Sequence, residues 1–245
     1  MFELFTTIVG SHMWNMQRPD FDVDYNTVYL ENSRDILLGK KISGKQTQEG
    51  IYDTTYFELG HFIHNLIKGN VNFIWAVMSP LVERKHKTAL EELKEITAKN
   101  LAKNCFFSID GLAKHNIYHF ITGNKNNISD LHEDLELGYI NKKQYDKKIK
   151  EWKSNSREID RKSLLYKKKL NVIGRTLKFG VNLLTWGKCL FEKVDIKTEE
   201  ELWELKNNLN HAFLNSVLPE KPDPEPFEKY LVKWRLYKMK KDELI

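Results

Sequence analysis

The sequence predicts an α+β protein: a small mixed β-sheet with flanking helices first, and a mostly helical region after it. Three observations carry this. Short β-rich segments separated by glycine-containing breaks fill the first 55 residues. The apolar period then switches to that of a helix. Beyond Pro80, segment after segment keeps helical spacing.

In order along the chain, Phe5–Gly10 (FTTIVG) reads as a strand that stops at Gly10-Ser11, a turn signal. Asp22–Leu30 (DVDYNTVYL) partly alternates and is rich in Val, Tyr and Thr, so a second strand is expected there. Leu37–Glu49 is polar with two glycines, a loop or hairpin excursion. Gly50–Thr55 (GIYDTT) is a third strand candidate. Apolar residues at 56, 57, 59, 62, 63, 66 and 67 form a helical stripe from Tyr56 that closes at Gly69-Asn70. The apolar segment Phe73–Met78 stops at Ser79-Pro80. Helices are then expected over 81–99, 106–122, 128–137, 141–153, 158–186, 198–213 and 226–240. Gly123–Asn127 is a polar break, and Pro219, Pro222, Pro224 and Pro226 mark an extended connector. The expected division is 1–80 and 81–245.

Composition excludes several classes. With 41% hydrophobic and 30% charged residues the chain is globular rather than disordered. Two cysteines far apart, Cys105 and Cys189, give neither a disulfide framework nor metal spacing. No apolar run approaches the roughly 20 residues that span a bilayer. The first residues lack the basic and apolar regions of a signal peptide. A soluble, cytoplasmic protein with no membrane partner is expected. The formal net charge of +5 is unevenly spread: residues 141–170 hold twelve Lys/Arg against four Asp/Glu. Within Lys142–Lys169 the basic residues are interleaved with Tyr145, Trp152 and Tyr166, a pattern that suits single-stranded RNA. A solvated helix pair explains it equally well.

The informative stretch is Gly10–Tyr25. Asp22 and Asp24 are two apart on an expected strand, so they share one face. Neighbouring carboxylates repel, and a hard cation such as Mg²⁺ relieves this while also binding phosphate oxygens. Two such ions can clamp both oxygens of an in-line phosphoryl displacement. Gly10 lets the backbone approach a ligand closely, and the amides around Ser11 would hold phosphates. Asp53, on the next strand candidate, would complete a three-carboxylate site. Asp20, Asp22, Asp24 and Glu31 also fall at calcium-loop positions, but Tyr25 stands where that loop needs glycine. Glu58, His61 and His64 lie along one helix, with no second ligand cluster. Trp14 sits between Gly10-Ser11 and the aspartates, where it is a candidate to stack on a base. Arg175, inside an otherwise apolar helix, calls for an anion or a carboxylate.

These residues resemble a known family. Gly10-Ser11-His12 followed by Asp22-Val23-Asp24 is similar to the Gly-Ser … Asp-x-Asp signature of the polymerase-β nucleotidyltransferase superfamily. The closer likeness is to its predicted nucleotidyltransferases that include an RNA-repair-associated branch. Asp53-Thr54-Thr55-Tyr56-Phe57-Glu58-Leu59, Lys68-Gly69-Asn70, Ser79-Pro80 and Gly174-Arg175 … Leu183-Leu184 … Gly187 resemble its further motifs. Phe21, His61, Val71 and Trp75 depart from the usual residues.

The resemblance implies transfer of a nucleoside monophosphate from an NTP to a hydroxyl, with pyrophosphate released. Asp22, Asp24 and Asp53 would be the catalytic metal ligands for Mg²⁺ or Mn²⁺. Gly10, Ser11, His61, Lys68, Asn70 and Arg175 would contact the nucleotide. Residues 81–245 would complete the nucleotide and acceptor cleft. The acceptor would be RNA, a tRNA 3′ end included, with protein (an AMP-transferring modifier) second. A non-catalytic nucleotide- or RNA-binding protein on the same scaffold is the alternative of a different class.

Overall fold

The computed structural model describes residues 1–17, 22–40, 42, 44–86, 88–120, 132, 135–136, 140–155 and 163–245, without the side chains of 85, 118–120 and 151–155. The expected break at 123–127 and most of the expected helix 128–137 lie outside the described residues.

The first compact unit comprises residues 1–108, 182–193 and 212–245. Its five-stranded mixed sheet contains β1 (Phe2–Ile8), β2 (Val23–Leu30), β3 (Lys45–Glu49), β4 (Tyr52–Glu58) and β5 (Val82–Lys85). The order across it is β3-β4-β2-β1-β5. β2 and β4 run parallel, and the other neighbours antiparallel. The α+β expectation is borne out.

Local chemistry accounts for the elements. β3 and β4 form a hairpin in which Glu49 pairs with Tyr52, leaving Gly50-Ile51 as the loop. Gly50 has φ +62°, a conformation that hairpin turns demand and glycine supplies. α1 (Gly10–Met13) is a single turn after β1. α2 (Ser33–Leu37) is capped by Asn32, whose side chain accepts from the Arg34 N–H at 3.0 Å. α3 (Leu59–Ile67) is capped by Glu58, which accepts from the Gly60 N–H at 2.7 Å. α4 (Val71–Met78) is capped by Asn70. α5 (Ala89–Lys99) follows β5, and the C-terminal helix α10 (Glu225–Lys241) returns to this unit and packs against α3, α5 and β2.

One sheet face is apolar at its far end. Phe5, Val28 and Phe57 lie there, and α3 and α4 cover them through Phe62 and Phe73. Leu59, Phe62, Val71 and Val77 are fully buried in this core. Thr7 donates to the Ala76 carbonyl at 2.8 Å, and Ser79 donates to the Ile8 carbonyl at 2.6 Å.

The remaining helices are α6 (Cys105–Phe120), α7 (Lys142–Asn155), α8 (Leu164–Trp186) and α9 (Glu199–Asn215). The second compact unit comprises residues 109–181 and 194–211. Two glycines of α8 allow close approach: a Cβ on Gly174 would come within 2.3 Å of Ile196, in the segment before α9, and one on Gly180 within 2.6 Å of Leu209 on α9.

Three expectations are corrected. β2 begins at Val23, so Asp22 is exposed just ahead of the strand. The helix expected from Tyr56 begins at Leu59. Pairing with Thr27, Val28 and Tyr29 keeps Tyr56, Phe57 and Glu58 in β4, so part of the apolar run is strand rather than helix stripe. The region after Pro80 is not wholly helical. Pro80 disfavours helix at Ser79, and Val82–Lys85 then pairs with the open edge of β1.

Candidate active site

The parallel register of β2 and β4 makes Asp24 and Asp53 direct partners. Paired residues on adjacent strands point to the same face, about 4.8 Å apart. Asp24 and Asp53 therefore occupy the polar end of the face whose far end carries Val28 and Phe57. Asp22, two residues before Asp24, is exposed at the mouth of the strand.

Gly10 is shaped by this corner. It has φ +64°, and a Cβ built on it would lie 1.8 Å from Asp24 Oδ2. The Asp24 carboxylate thus lies against the bare Cα of Gly10, and no other residue fits. The Val9 N–H donates to the Asp24 carbonyl at 2.8 Å, tying the loop to β2. Ser11 follows in α1, and its carbonyl accepts from the Trp14 and Met16 N–H groups. Behind the loop, buried Ser79 bonds the Ile8 carbonyl, while Lys94 donates to the Ser79 carbonyl at 2.7 Å. The Ser-Pro motif therefore fixes the end of β1 from which the Gly10 loop departs.

Asp53 is engaged from the other side. Gln46 Nε2, on β3, donates to both Asp53 oxygens at 2.9 Å. Gln46 escaped the sequence reading. It shares a face with Asp53 only through the hairpin register, in which Gln48 pairs with Asp53 and Gln46 with Thr55. Among the described residues, no group of three or more His, Cys, Asp or Glu side chains is arranged to hold a metal ion. The donor chemistry of Asp24 and Asp53 suits a hard cation, and the missing side chain of Gly10 makes room for the Asp24 carboxylate. The geometry brings these two carboxylates and Gly10 together and leaves Asp22 apart.

Trp14 is corrected from its expected role. It is 1% exposed, with its ring edge-on to Trp75 at 5.5 Å and to Phe191 at 5.1 Å. It is an anchor for the Gly10 loop and is not available to stack on a base. Trp75 is the other half of that contact.

His61 is exposed on α3, stacked on Phe57 at 6.3 Å and edge-on to Phe73. Phe57 lies four residues along β4 from Asp53, about 13 Å at strand rise. His61 lines a cavity of about 490 Å³ with Tyr29, Lys40, Lys45, Gln46, Thr55, Tyr56, Phe57 and Glu58, among others. Glu58 is committed elsewhere, to Arg235 at 2.5 Å and the Gly60 N–H, which removes it from any Glu58-His61-His64 metal stripe.

Lys68 is exposed at the end of α3. Asn70 caps α4 by accepting from the Asn72 N–H, and its amide donates to Asn65. Gly69 (φ +72°) abuts the Cys105 N–H, where a Cβ would come within 2.8 Å. Lys68-Gly69-Asn70 is thus built as an interhelix turn. Arg175 lies half-buried on α8 in the second unit. Both cysteines are unpaired, and burial pushes the Cys105 and Cys189 thiols up to about 12.

The basic stretch is corrected in one respect. Lys142, Lys143, Lys147, Lys148 and Lys150 are exposed on α7, as are Lys167 and Lys168 on α8. Tyr145 and Tyr166 are buried, the first bonded to His132 and the second to Glu199. These two rings are packed and cannot take bases, so the stretch offers charge without that stacking. The Trp152 side chain lies outside the described residues.

Residues 3–167 match the sequence model of the family described as RlaP, RNA repair pathway DNA polymerase beta family. That match spans more than half of the chain and includes all three aspartates. Among solved structures, a nucleotidyltransferase-like protein from Exiguobacterium sibiricum is 12% identical. That alignment covers 98% of this chain and 82% of the other, with a TM-score of 0.30, too low to carry an argument. No curated protein matches the chain.

Proposed function

Because the chain belongs to the RNA repair pathway DNA polymerase beta family, we propose that it is a metal-dependent nucleotidyltransferase moving a nucleoside monophosphate from an NTP to a hydroxyl of RNA. A tRNA 3′ end is one such acceptor. The observation that supports this most directly is the Asp24–Asp53 register with Gly10 against the Asp24 carboxylate. Like charges directly opposite on neighbouring strands are destabilising.

In this reading Asp22, Asp24 and Asp53 would hold Mg²⁺ or Mn²⁺, which when bound would neutralise charge on the phosphates and make the acceptor hydroxyl more acidic. The acceptor oxygen forms a bond to the α-phosphorus, the bond to the bridging oxygen breaks, pyrophosphate leaves, and the hydroxyl proton passes to solvent. Gly10 and Ser11 would offer the N–H groups that open α1, which have no intrahelical acceptors, to the triphosphate. His61, Lys68 and Asn70 would be further nucleotide contacts, although the capping duty of Asn70 gives it a reason to be there without a nucleotide. The exposed lysines of 142–169 would meet the RNA backbone through charge. Among the described residues no helix is long and apolar enough to cross a membrane, and the reading takes the cytoplasm as its setting.

A second reading, a non-catalytic nucleotide- or RNA-binding protein, is favoured by one observation: both Asp53 oxygens are already occupied by Gln46. The deciding experiment incubates the protein with Mg²⁺ or Mn²⁺, each α-³²P-labelled NTP and total RNA, beside Asp24→Ala. Label on RNA that vanishes in the variant is the expected outcome. Label on protein instead points to an AMP-transferring modifier. No transfer with retained NTP binding supports the second reading.

A further inference from the structure

The sheet has two outer edges, and they are finished differently. β5 is four residues long and meets β1 with a register shift at Thr6/Thr7. Its Arg84 is paired with Glu3 at 3.8 Å. Short, irregular, charged edges resist pairing with another strand. β3 (KQTQE) is regular: its five residues pair with β4 from Lys45–Tyr56 to Glu49–Tyr52, and no proline or register shift interrupts them. It ends the order β3-β4-β2-β1-β5, so its outer side presents backbone N–H and C=O groups that no strand among the described residues pairs. Four of its residues are exposed, and Thr47 is half-buried.

The charges of this edge stand at its two ends. Lys45 and Glu49 are each two residues from Thr47, so all three share one sheet face. It is the face of Tyr52 and Tyr56, opposite that of Asp53 and Gln46. Neither Lys45 nor Glu49 has an ion-pair partner among the described residues, and the Lys45 ammonium stands 5.2 Å from the Tyr56 ring centroid. Reversing the strand exchanges its charges. Two copies laid antiparallel about a two-fold axis at Thr47 therefore oppose Lys45 to Glu49 twice, Gln46 to Gln48 twice, and Thr47 to itself. Opposite charges directly across an antiparallel pair stabilise it, and like charges destabilise it. Two lysines at the ends would close this edge to its own copy; a lysine and a glutamate open it.

We propose that β3 is the surface by which two copies of this chain associate, edge to edge, in an isologous dimer. The two five-stranded sheets then run on as one, and both aspartate corners open on the same face of it. Gln46, which donates to both Asp53 oxygens, faces Gln48 of the second copy, so the pairing reaches the candidate site. Five residues a side is far below the roughly 20–30 of a stable interface, so the association is weak and rises with concentration. The inference rests on strand register and charge, independently of the nucleotidyltransferase reading.

Cysteine trapping tests the register. Thr47→Cys sets two thiols across the axis, where Cβ atoms are about 4.5–5.5 Å apart. With copper–phenanthroline as oxidant it is expected to give a covalent dimer, above the baseline set by the wild-type protein with its own Cys105 and Cys189. Leu236→Cys, at an exposed position on α10, should stay at that baseline. Sedimentation velocity over a concentration series tests the charges, with circular dichroism to check the fold. Lys45→Glu and Glu49→Lys should each weaken self-association about tenfold, because each sets like charges at both contacts. The double exchange Lys45→Glu/Glu49→Lys should restore it, and so should an equimolar mixture of the two single variants, whose ends are complementary to each other. Single variants that associate like the wild type, or a folded double exchange that fails to recover, would overturn the inference. So would a wild-type protein that stays monomeric at every concentration, or Thr47→Cys that crosslinks no faster than Leu236→Cys.

Discussion

Two groups of acidic residues in this protein look alike in sequence and differ in how their charge is met. In the second unit, Asp110 is buried, and both its oxygens are taken: Oδ1 by Lys206 and Oδ2 by Lys114, each at 2.7 Å. Lys206, itself buried, also donates to Asn210 at 2.9 Å. Burial pushes the Asp110 carboxyl upward, but the two ammonium groups more than reverse this and hold it below the usual carboxylate range. At the sheet corner of the first unit, Asp24 and Asp53 stand beside each other as strand partners, and Asp53 receives the neutral amide of Gln46. A carboxylate neutralised within the fold is part of its structure. A pair of like-charged strand partners on one face is the arrangement that a bound cation would relieve.

The contrast breaks most sharply at Gly10. A β-carbon there would strike the Asp24 carboxylate, and φ +64° would be strained for any other residue by about 1–2 kcal/mol. Gly10→Ala should therefore displace Asp24 and lower NTP-dependent transfer on the order of 100-fold, the scale set by a misplacement of about 1 Å. Steady-state labelling of RNA would measure it. Activity within a few-fold of wild type would mean that Asp24 does not take part.

The opposite signature is expected at Asp110. Asp110→Ala leaves Lys206 buried without its carboxylate, which should cost about 3 kcal/mol of stability in urea unfolding. Transfer per folded molecule should change little. If transfer falls while stability holds, the acid is functional and the distinction drawn between the two regions fails.

Much of this was legible in the sequence, for definable reasons. Asp22-x-Asp24 and Gly10 stand close together in the chain, so strand periodicity alone placed both aspartates near a turn. The pairing of Asp24 with Asp53 was expected only as adjacency, since parallel register depends on the intervening hairpin. Gln46 was invisible for the same reason: nothing local tells which β3 side chain reaches Asp53. Trp14 was misjudged because a loop tryptophan gives no sign of its partners; Trp75 and Phe191, distant in sequence, bury it. β5 was missed because four residues after a proline show no period, and only the open edge of β1 makes them a strand. Tyr145 and Tyr166 show the converse error: their spacing among lysines was real, but their rings point into packing.

Gln46 provides a finer probe of the sheet corner. Its amide satisfies Asp53 as a neutral stand-in for a cation, and a hydrogen bond to a charged group contributes about 1.5–3 kcal/mol net, less where it is exposed as here. Gln46→Ala should raise Mn²⁺ affinity about fivefold, read by the loss of free-ion signal in electron paramagnetic resonance. Weaker Mn²⁺ binding in the variant would instead make Gln46 an orienting partner that holds Asp53 in its ligating pose.

The smallest effect expected is at a third kind of carboxylate, closed by local partners at the surface of the first unit. Asp242 caps the end of α10. Lys238 donates to its Oδ1, and the Ser33 N–H that opens α2 donates to Oδ2 at 2.9 Å. The Lys238 hydrogen bond, helped by the Ser33 N–H, lowers its carboxyl to about 2, against about 3.9 in an unfolded chain. A carboxyl depressed in the folded state stabilises above its unfolded value, and that contribution is lost as pH falls from about 4 toward 2. Asp242→Asn should thus cost under about 1 kcal/mol near neutrality and flatten the acid limb of the stability curve between pH about 4 and 2. Urea unfolding of both proteins across that window measures it. An acid limb equally steep in the variant would place the titration on another group, and Asp242 would then join α10 to α2 through contacts that do not depend on its charge.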